Sequence, residues 1–210
     1  MIGSFSDICI FSFDPIKNIT CIDGGALIVQ SEEELKMIHE MRLVGMGQSA
    51  TVMYQNQRAW TYDVKTIGFR DHMANLHAAI GLAQLSKIDK ISETRRNAWR
   101  YYNEKLSQTS EVTVPKTDFN NITPFIYYIR VPDHKRDALR AYLQDKGIDT
   151  GIHWQPGHWF SLLRECRAGD LSVTDKVGRE ILSLPGHSCM KIEALDSVIS
   201  SIESFFQHKE

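Results

Sequence analysis

The stretch "FSFDPIKNITCIDGG", Phe11 to Gly25, decides how the rest of the chain is read. Residues 7–13 are β-rich and bounded by Gly3 and Pro15, and "CIDGGALIVQ" (21–30) is a second apolar run after a short loop, so two strands flank Lys17. An ammonium group held in a tight, partly apolar site loses solvation, and lysines so placed serve as bases or Schiff-base nucleophiles. The same spacing also describes a surface lysine that snorkels to water, and the local pattern leaves both readings open.

Downstream, Ser31 followed by Glu34 forms a capping-box pattern, and Leu35, Ile38 and Met41 or Arg42 mark the faces of a helix that Gly45 and Gly47 end. From Gln48 to Gly68 the periodicity is lost in a polar and aromatic stretch, expected to be a long functional or interface loop. Met73, Leu76, Ile80 and Ala83 recur at helical spacing, with Ala78, Ala79 and Gly81 as a small-residue face, and a further helical pattern runs from about Ile91 to Leu106. The polar segment 107–121, with Pro115, marks a boundary between a first domain over 1–119 and a second over 120–210.

In the second domain "PFIYYIRVP" (124–132) alternates as a strand, and "DHKRDALRAYLQDKG" (133–147) is a helix with Asp133 as N-cap and Gly147 as C′. "IDTGIHW" (148–154) is expected as a second short strand. Leu195, Val198, Ile199, Ile202 and Phe206 give a last helix, Ile192 to Phe206, one apolar face. Strand, helix, strand, helix predicts a small α/β sandwich.

Composition narrows the function classes. A chain of 210 residues with 42% hydrophobic content can bury a core, and 24 basic against 26 acidic residues leave no general attraction to nucleic acid or an anionic membrane. No apolar run of about 18 residues is present, and "MIGSFSDICIFSF" lacks the basic region and cleavage site of a signal peptide, so no membrane partner is expected. Cys9, Cys21, Cys166 and Cys189 have no ligand-like spacing, which fits a reducing compartment and a cytoplasmic protein.

The longer string "GSFSDICIFSFDPIKNITCIDGGALIV" (3–29) resembles the lysine-bearing segment of the DegT/StrS-type sugar aminotransferases, pyridoxal-phosphate enzymes of the aspartate aminotransferase fold. There the pattern is Gly-Ser, Ser-Asp, Phe-Ser-Phe, a spacer, the lysine, and Gly-Gly opening the next strand. "GFRDHMANLHAAIGLAQLSKID" (68–89) is similar to the family's glycine-led loop and Ala-Ala-x-Gly-x-x-Gln-Leu helix, while "GIDTGIHWQPGH" (147–158) and "ILSLPGHSCM" (181–190) look like its C-terminal domain. The resemblance implies an α/β fold class: the C-terminal part of a fold type I PLP-dependent transferase, a partial large domain plus a small α/β sandwich domain.

Carried over residue by residue, the resemblance makes Lys17 the catalytic residue, which holds pyridoxal 5′-phosphate and shuttles the proton between the substrate α-carbon and C4′ of the cofactor. Ser12 matches the serine whose hydroxyl bonds the cofactor phosphate without adding charge. Many members read Gly-Tyr-Asn-Tyr-Arg-Met where this chain has residues 68–73, and their asparagine reaches the phosphate of the neighbouring subunit. Arg70 stands in its place and offers a charge-assisted, bidentate contact; pairing with Asp71 at a helix start is its alternative. His72, His153 and His158 are the candidate substrate residues, the last two falling with Gln155 and Pro156 where the family lines the sugar end of its site. The spacings His72–His77 and His153–His158 suggest metal ligands, but no third ligand lies nearby and the family uses no metal, so none is expected. His77 is read as a helix-surface residue.

The implied reaction moves an amino group from an amino-acid donor, glutamate in the family, to a nucleotide-linked keto sugar, in a homodimer, for surface polysaccharide, lipopolysaccharide or related sugar synthesis. The resemblance spans this chain but only the C-terminal half of a member. The Gly-Thr turn that holds the phosphate and the aspartate of an Asp-x-Ala-His string, which keeps the ring nitrogen protonated, have no counterpart in it. The alternative expectation is a truncated or split-gene fragment with no independent activity, needing a separate N-terminal chain. A parallel sheet deprived of its first strands leaves an open edge and an apolar face.

Overall fold

A computed structural model of the chain describes residues 5–47 and 62–207. It divides into two compact units, Met1–Ile88 and Asp89–Glu210.

In the first unit β1 (Cys9–Ser12) and β2 (Gly25–Ile28) pair antiparallel, from Cys9↔Ile28 to Ser12↔Gly25. Beyond the ladder Phe13 N–H donates to the Gly24 carbonyl at 2.9 Å, and the Phe13 carbonyl accepts from Cys21 N–H at 3.0 Å and the Thr20 hydroxyl at 3.2 Å. These bonds pinch off the loop 14–20, with Lys17 at its middle. The strand, lysine loop and strand follow the sequence reading, but the second strand opens at Gly25 rather than Cys21. Ile22 (φ 73°) and Gly24 (φ 123°) both leave the extended region there, breaking the run. A Cβ on Gly25 would lie 2.6 Å from the Phe11 carbonyl oxygen, so the cross-strand approach at that point requires glycine.

α1 (Glu32–Met41) starts where the capping pattern predicts: Ser31 Oγ accepts from Glu34 N–H at 3.0 Å, and Glu32, Glu33 and Glu34 place negative charge on the first turn. Past it, residues 41–47 run antiparallel to 63–71 through bridges at Leu43↔Arg70 and Met46↔Val64. Side chains at Gly45 (φ 81°) or Gly68 would strike the facing backbone, which explains the glycine that leads the loop to Arg70. Of the expected loop 48–68, residues 48–61 lie outside the described residues; 63–68 form part of this pairing. α2 (Asn75–Leu85) packs Gly81 against Cys21, whose sulfur fills the space a Cβ would need.

This unit has little core of its own. Among its described residues Cys21 is the buried apolar side chain, and neither α1 nor α2 buries a residue. α2 is apolar all round, a pattern that goes with burial, yet Leu76 and Leu82 are 69% and 68% exposed.

The second unit is different. α3 (Ile88–Leu106), β3 (Tyr127–Arg130), α4 (Asp133–Asp145), α5 (Ser172–Glu180), β4 (Ile181–Leu184) and α6 (Ile192–Gln207) enclose a continuous core. Trp99, Tyr102 and Leu106 of α3 meet Tyr127 and Ile129 of β3, Leu139 and Leu143 of α4, Leu182 of β4 and Ile202 of α6. Because α3 contributes so much of that core, the unit begins at Asp89, ahead of the boundary expected at 119/120. Tyr102 and Tyr127 stack at 5.0 Å, and burial pushes both phenol pKa values up.

The sheet corrects one expectation. β3 pairs antiparallel with β4, from Tyr127↔Leu184 to Arg130↔Ile181, and not with 148–154. The run "ILSL" is apolar and buried, whereas the expected strand contributes only Gly151, bridged to Ser183 on the other side of β4. A Cβ on Gly151 would collide with the ring of His153, so this single bridge requires glycine. Thr113 bridges Arg130 on the outer side of β3, giving the lateral order Thr113, β3, β4, Gly151.

α4 carries a second correction. Its N-cap position is Pro132, without a side-chain bond, and Asp133 is the first helical residue, its carboxylate 3.1 Å from Arg179 Nε. At the other end Gly147 (φ 75°) sits at C′ as expected. Its N–H and that of Ile148 donate to the Gln144 and Leu143 carbonyls, a Schellman closure sealed by buried Ile148. α6 matches its predicted face, burying Leu195, Val198, Ile199 and Ile202.

Candidate active-site residues in two units

The loop that carries Lys17 is organised by Asp14. Its carbonyl accepts from Lys17 N–H at 3.0 Å, its carboxylate accepts from Ile16 N–H at 3.0 Å, and its own N–H points to Ser12 Oγ at 3.4 Å. Aspartate at the first position of a turn and proline at the second favour this geometry, because the carboxylate mimics a backbone acceptor and Pro15 presets φ. Lys17 is half-buried and Ser12 exposed, on the same end of one hairpin.

Arg70 and His72 share a cavity of about 420 Å³ with Gly24 and Gly25. Gly25 is the register partner of Ser12, so the hydroxyl-bearing end of β1 adjoins the cavity wall, although neither Ser12 nor Lys17 lines it. His77, expected on the helix surface, is half-buried and lines the same cavity with Asp23 and Asp71. Asp23 is committed to the turn, accepting from Gly24 N–H at 2.8 Å. The Arg70 guanidinium and the His72 and His77 imidazoles bring hydrogen-bond donors to this two-glycine wall, with the carboxylates of Asp23 and Asp71 on the same lining.

His153 and His158 lie in the second unit. The ring of His153 sits against Gly151 and edge-on to Trp154 at 5.3 Å, its Nδ1 buried without a hydrogen-bond partner, while Trp154 is 62% exposed. Pro156 and the Trp159 ring pack on Gly178 of α5, where a larger residue would collide with Pro156. His158 Nε2 is 2.7 Å from Asp175 Oδ1, and Trp159 Nε1 donates to that same oxygen at 2.7 Å. The indole bond first, then the imidazole bond, holds the Asp175 carboxyl below its ordinary value of 3.8. Sequence reasoning missed Asp175: an acidic residue in the first turn of an amphipathic helix looks like a solvated one.

Among the described residues no helix is long and apolar enough to cross a membrane. Solved structures share the fold. An aminotransferase from Brucella abortus, described as DegT DnrJ EryC1 StrS, is 28% identical with a TM-score of 0.84, over 98% of this chain and 52% of its own. Helicobacter pylori PseC, an aminotransferase involved in the biosynthesis of pseudoaminic acid, is 22% identical with a TM-score of 0.86, over 98% and 54%. Spr1654 from Streptococcus pneumoniae, in its PLP-form, is 21% identical with a TM-score of 0.82, over 98% and 53%. The chain thus spans about half the length of these relatives. A model of the family matches residues 1–203, covering the lysine hairpin, the Arg70 loop and the His153–His158 segment together. The chain belongs to the DegT/DnrJ/EryC1/StrS aminotransferase family, whose cofactor is pyridoxal phosphate.

Proposed function

We propose that this chain supplies part of the active site of a transaminase that moves an amino group from an amino acid, glutamate by family analogy, to a nucleotide-linked keto sugar. The observation that carries the reading is the pinched loop 14–20, which holds Lys17 on the same hairpin end as Ser12. Bound pyridoxal phosphate supplies an electron sink for the donor's α-carbon. Lys17 would hold it, and its amine would take the proton from that carbon and deliver it to C4′ of the cofactor; Ser12 would donate to its phosphate. Arg70 supplies positive charge to a phosphate across a homodimer, and His72, His153 and His158 meet the sugar. A cytoplasmic setting takes support from four cysteines that are all free.

A second reading has its own support. Ile10, Leu27 and Leu35 are 76%, 42% and 38% exposed and line, with Ile38, an apolar cavity of about 500 Å³ on the first unit. We propose that the remaining half of the family fold, in the same polypeptide or a separate one, covers this face, and that activity needs it. The test is turnover of glutamate against a panel of nucleotide-linked keto sugars, using the chain joined to that remaining half. Activity with at least one sugar, abolished by Lys17→Ala, is expected. Turnover that survives the substitution overturns the assignment of Lys17.

A further inference from the structure

The contacts of Asp175 exceed what packing requires of it. The segment 156–159 is already seated on α5 by Pro156 and Trp159 against Gly178, one turn beyond Asp175. What Asp175 adds is orientation: one carboxylate oxygen takes both His158 Nε2 and Trp159 Nε1 at 2.7 Å. The indole nitrogen is always a donor, so it holds the oxygen in place as an acceptor. An ionised carboxylate at that distance demands a proton on Nε2, and the nitrogen that carries the proton is set by the bond the ring makes. Among the described residues His158 Nδ1 makes no hydrogen bond, and the side chain keeps 26% of its surface open.

We infer that Asp175 is a positioning residue for His158, fixing the Nε2–H form so that the Nδ1 lone pair is the acceptor offered to a hydroxyl of the bound sugar. The inference rests on the reading of His158 as a sugar-facing residue. It assigns no bond-making to Asp175, which acts through the histidine and stays ionised throughout.

The test is nitrogen-15 NMR of the full chain labelled at histidine and tryptophan, with His158→Gln identifying the resonance and the pH high enough to keep imidazoles neutral. The expected result is a His158 proton on Nε2, visible and slow to exchange with water. Asp175→Ala should speed that exchange about tenfold or more, since a bond to a charged group is lost, and should release the Trp159 indole N–H as well. Asp175→Asn keeps the acceptor oxygen and should keep both protons in place, which separates an orienting bond from a general effect on folding. A proton found on Nδ1, or an Nε2–H undisturbed in Asp175→Ala, overturns the inference. Titration with a nucleoside-diphosphate hexose, on the chain joined to the remaining half of the family fold, addresses the underlying reading separately: His158 signals that do not move overturn the sugar-facing assignment and leave the exchange result standing.

Discussion

Two residues decide whether the chemistry belongs to the chain or only to its fold: Lys17 and Asp175. Lys17 was legible because an apolar run, a turn signal and a double glycine surround it. The position of Asp175 was not, because its two partners arrive from a segment that chain periodicity does not describe. For the 210-residue chain by itself, added pyridoxal phosphate is expected to give little of the band at about 410 to 430 nm that a lysine-bound cofactor shows, since its sequence has no Asp-x-Ala-His string to keep the ring nitrogen protonated. A strong band that vanishes in Lys17→Ala would show that the described half of the site suffices. Asp175 makes a prediction about acid. Its folded pKa lies below the ordinary 3.8, so its contribution is complete above that value and is lost as pH falls through the lower folded value. Denaturant midpoints followed from neutral pH downwards should drop in that window, and Asp175→Asn should be less stable at neutral pH with a shallower acid slope. An identical slope in the variant would mean that other carboxylates, such as Asp118 and Asp170, carry the effect.

The elements most legible in sequence were those with local causes. The Ser31 cap, the Gly147 closure and the apolar face of α6 each rest on contacts within a turn or two, and each formed as read. The strand expected at 148–154 failed for a non-local reason: β3 chose "ILSL" (181–184), whose burial on both faces outweighs the alternation of "IDTGIHW". Gly186 shows the same dependence on a distant residue. A Cβ there would overlap the ring of Trp99, which is 1% exposed and cannot move aside. Gly186→Ala should therefore destabilise the second unit by about 1–3 kcal/mol, the usual range for overpacking. Thermal unfolding read by far-ultraviolet circular dichroism checks it, and a variant that melts with wild type would mean that the 185–187 segment yields freely.

At the scale of the molecule the two units differ in the one quantity that sets autonomy, the apolar surface removed from water. Residues 89–210 hold the continuous core of Trp99, Tyr102, Tyr127, Leu139, Leu182 and Ile202, whereas the described part of 1–88 buries Cys21 and leaves Ile10, Leu76, Leu82 and Ile67 largely open. Burial contributes roughly 25 cal/mol per Å², so a unit that leaves its leucines in water lacks the term that offsets chain entropy. Residues 89–210 expressed alone should then fold cooperatively, with a dispersed NMR spectrum and a single denaturant transition. Residues 1–88 alone should bind a hydrophobic dye, lack such a transition, and self-associate through the open face and strand edge. Joining 1–88 to the remaining half of the family fold should remove the dye binding, and mutating Leu27 and Leu35 to polar residues should weaken that rescue without altering residues 89–210. Cooperative, monomeric folding of 1–88 in isolation would sink the argument, because it would mean that its exposed apolar face needs no cover.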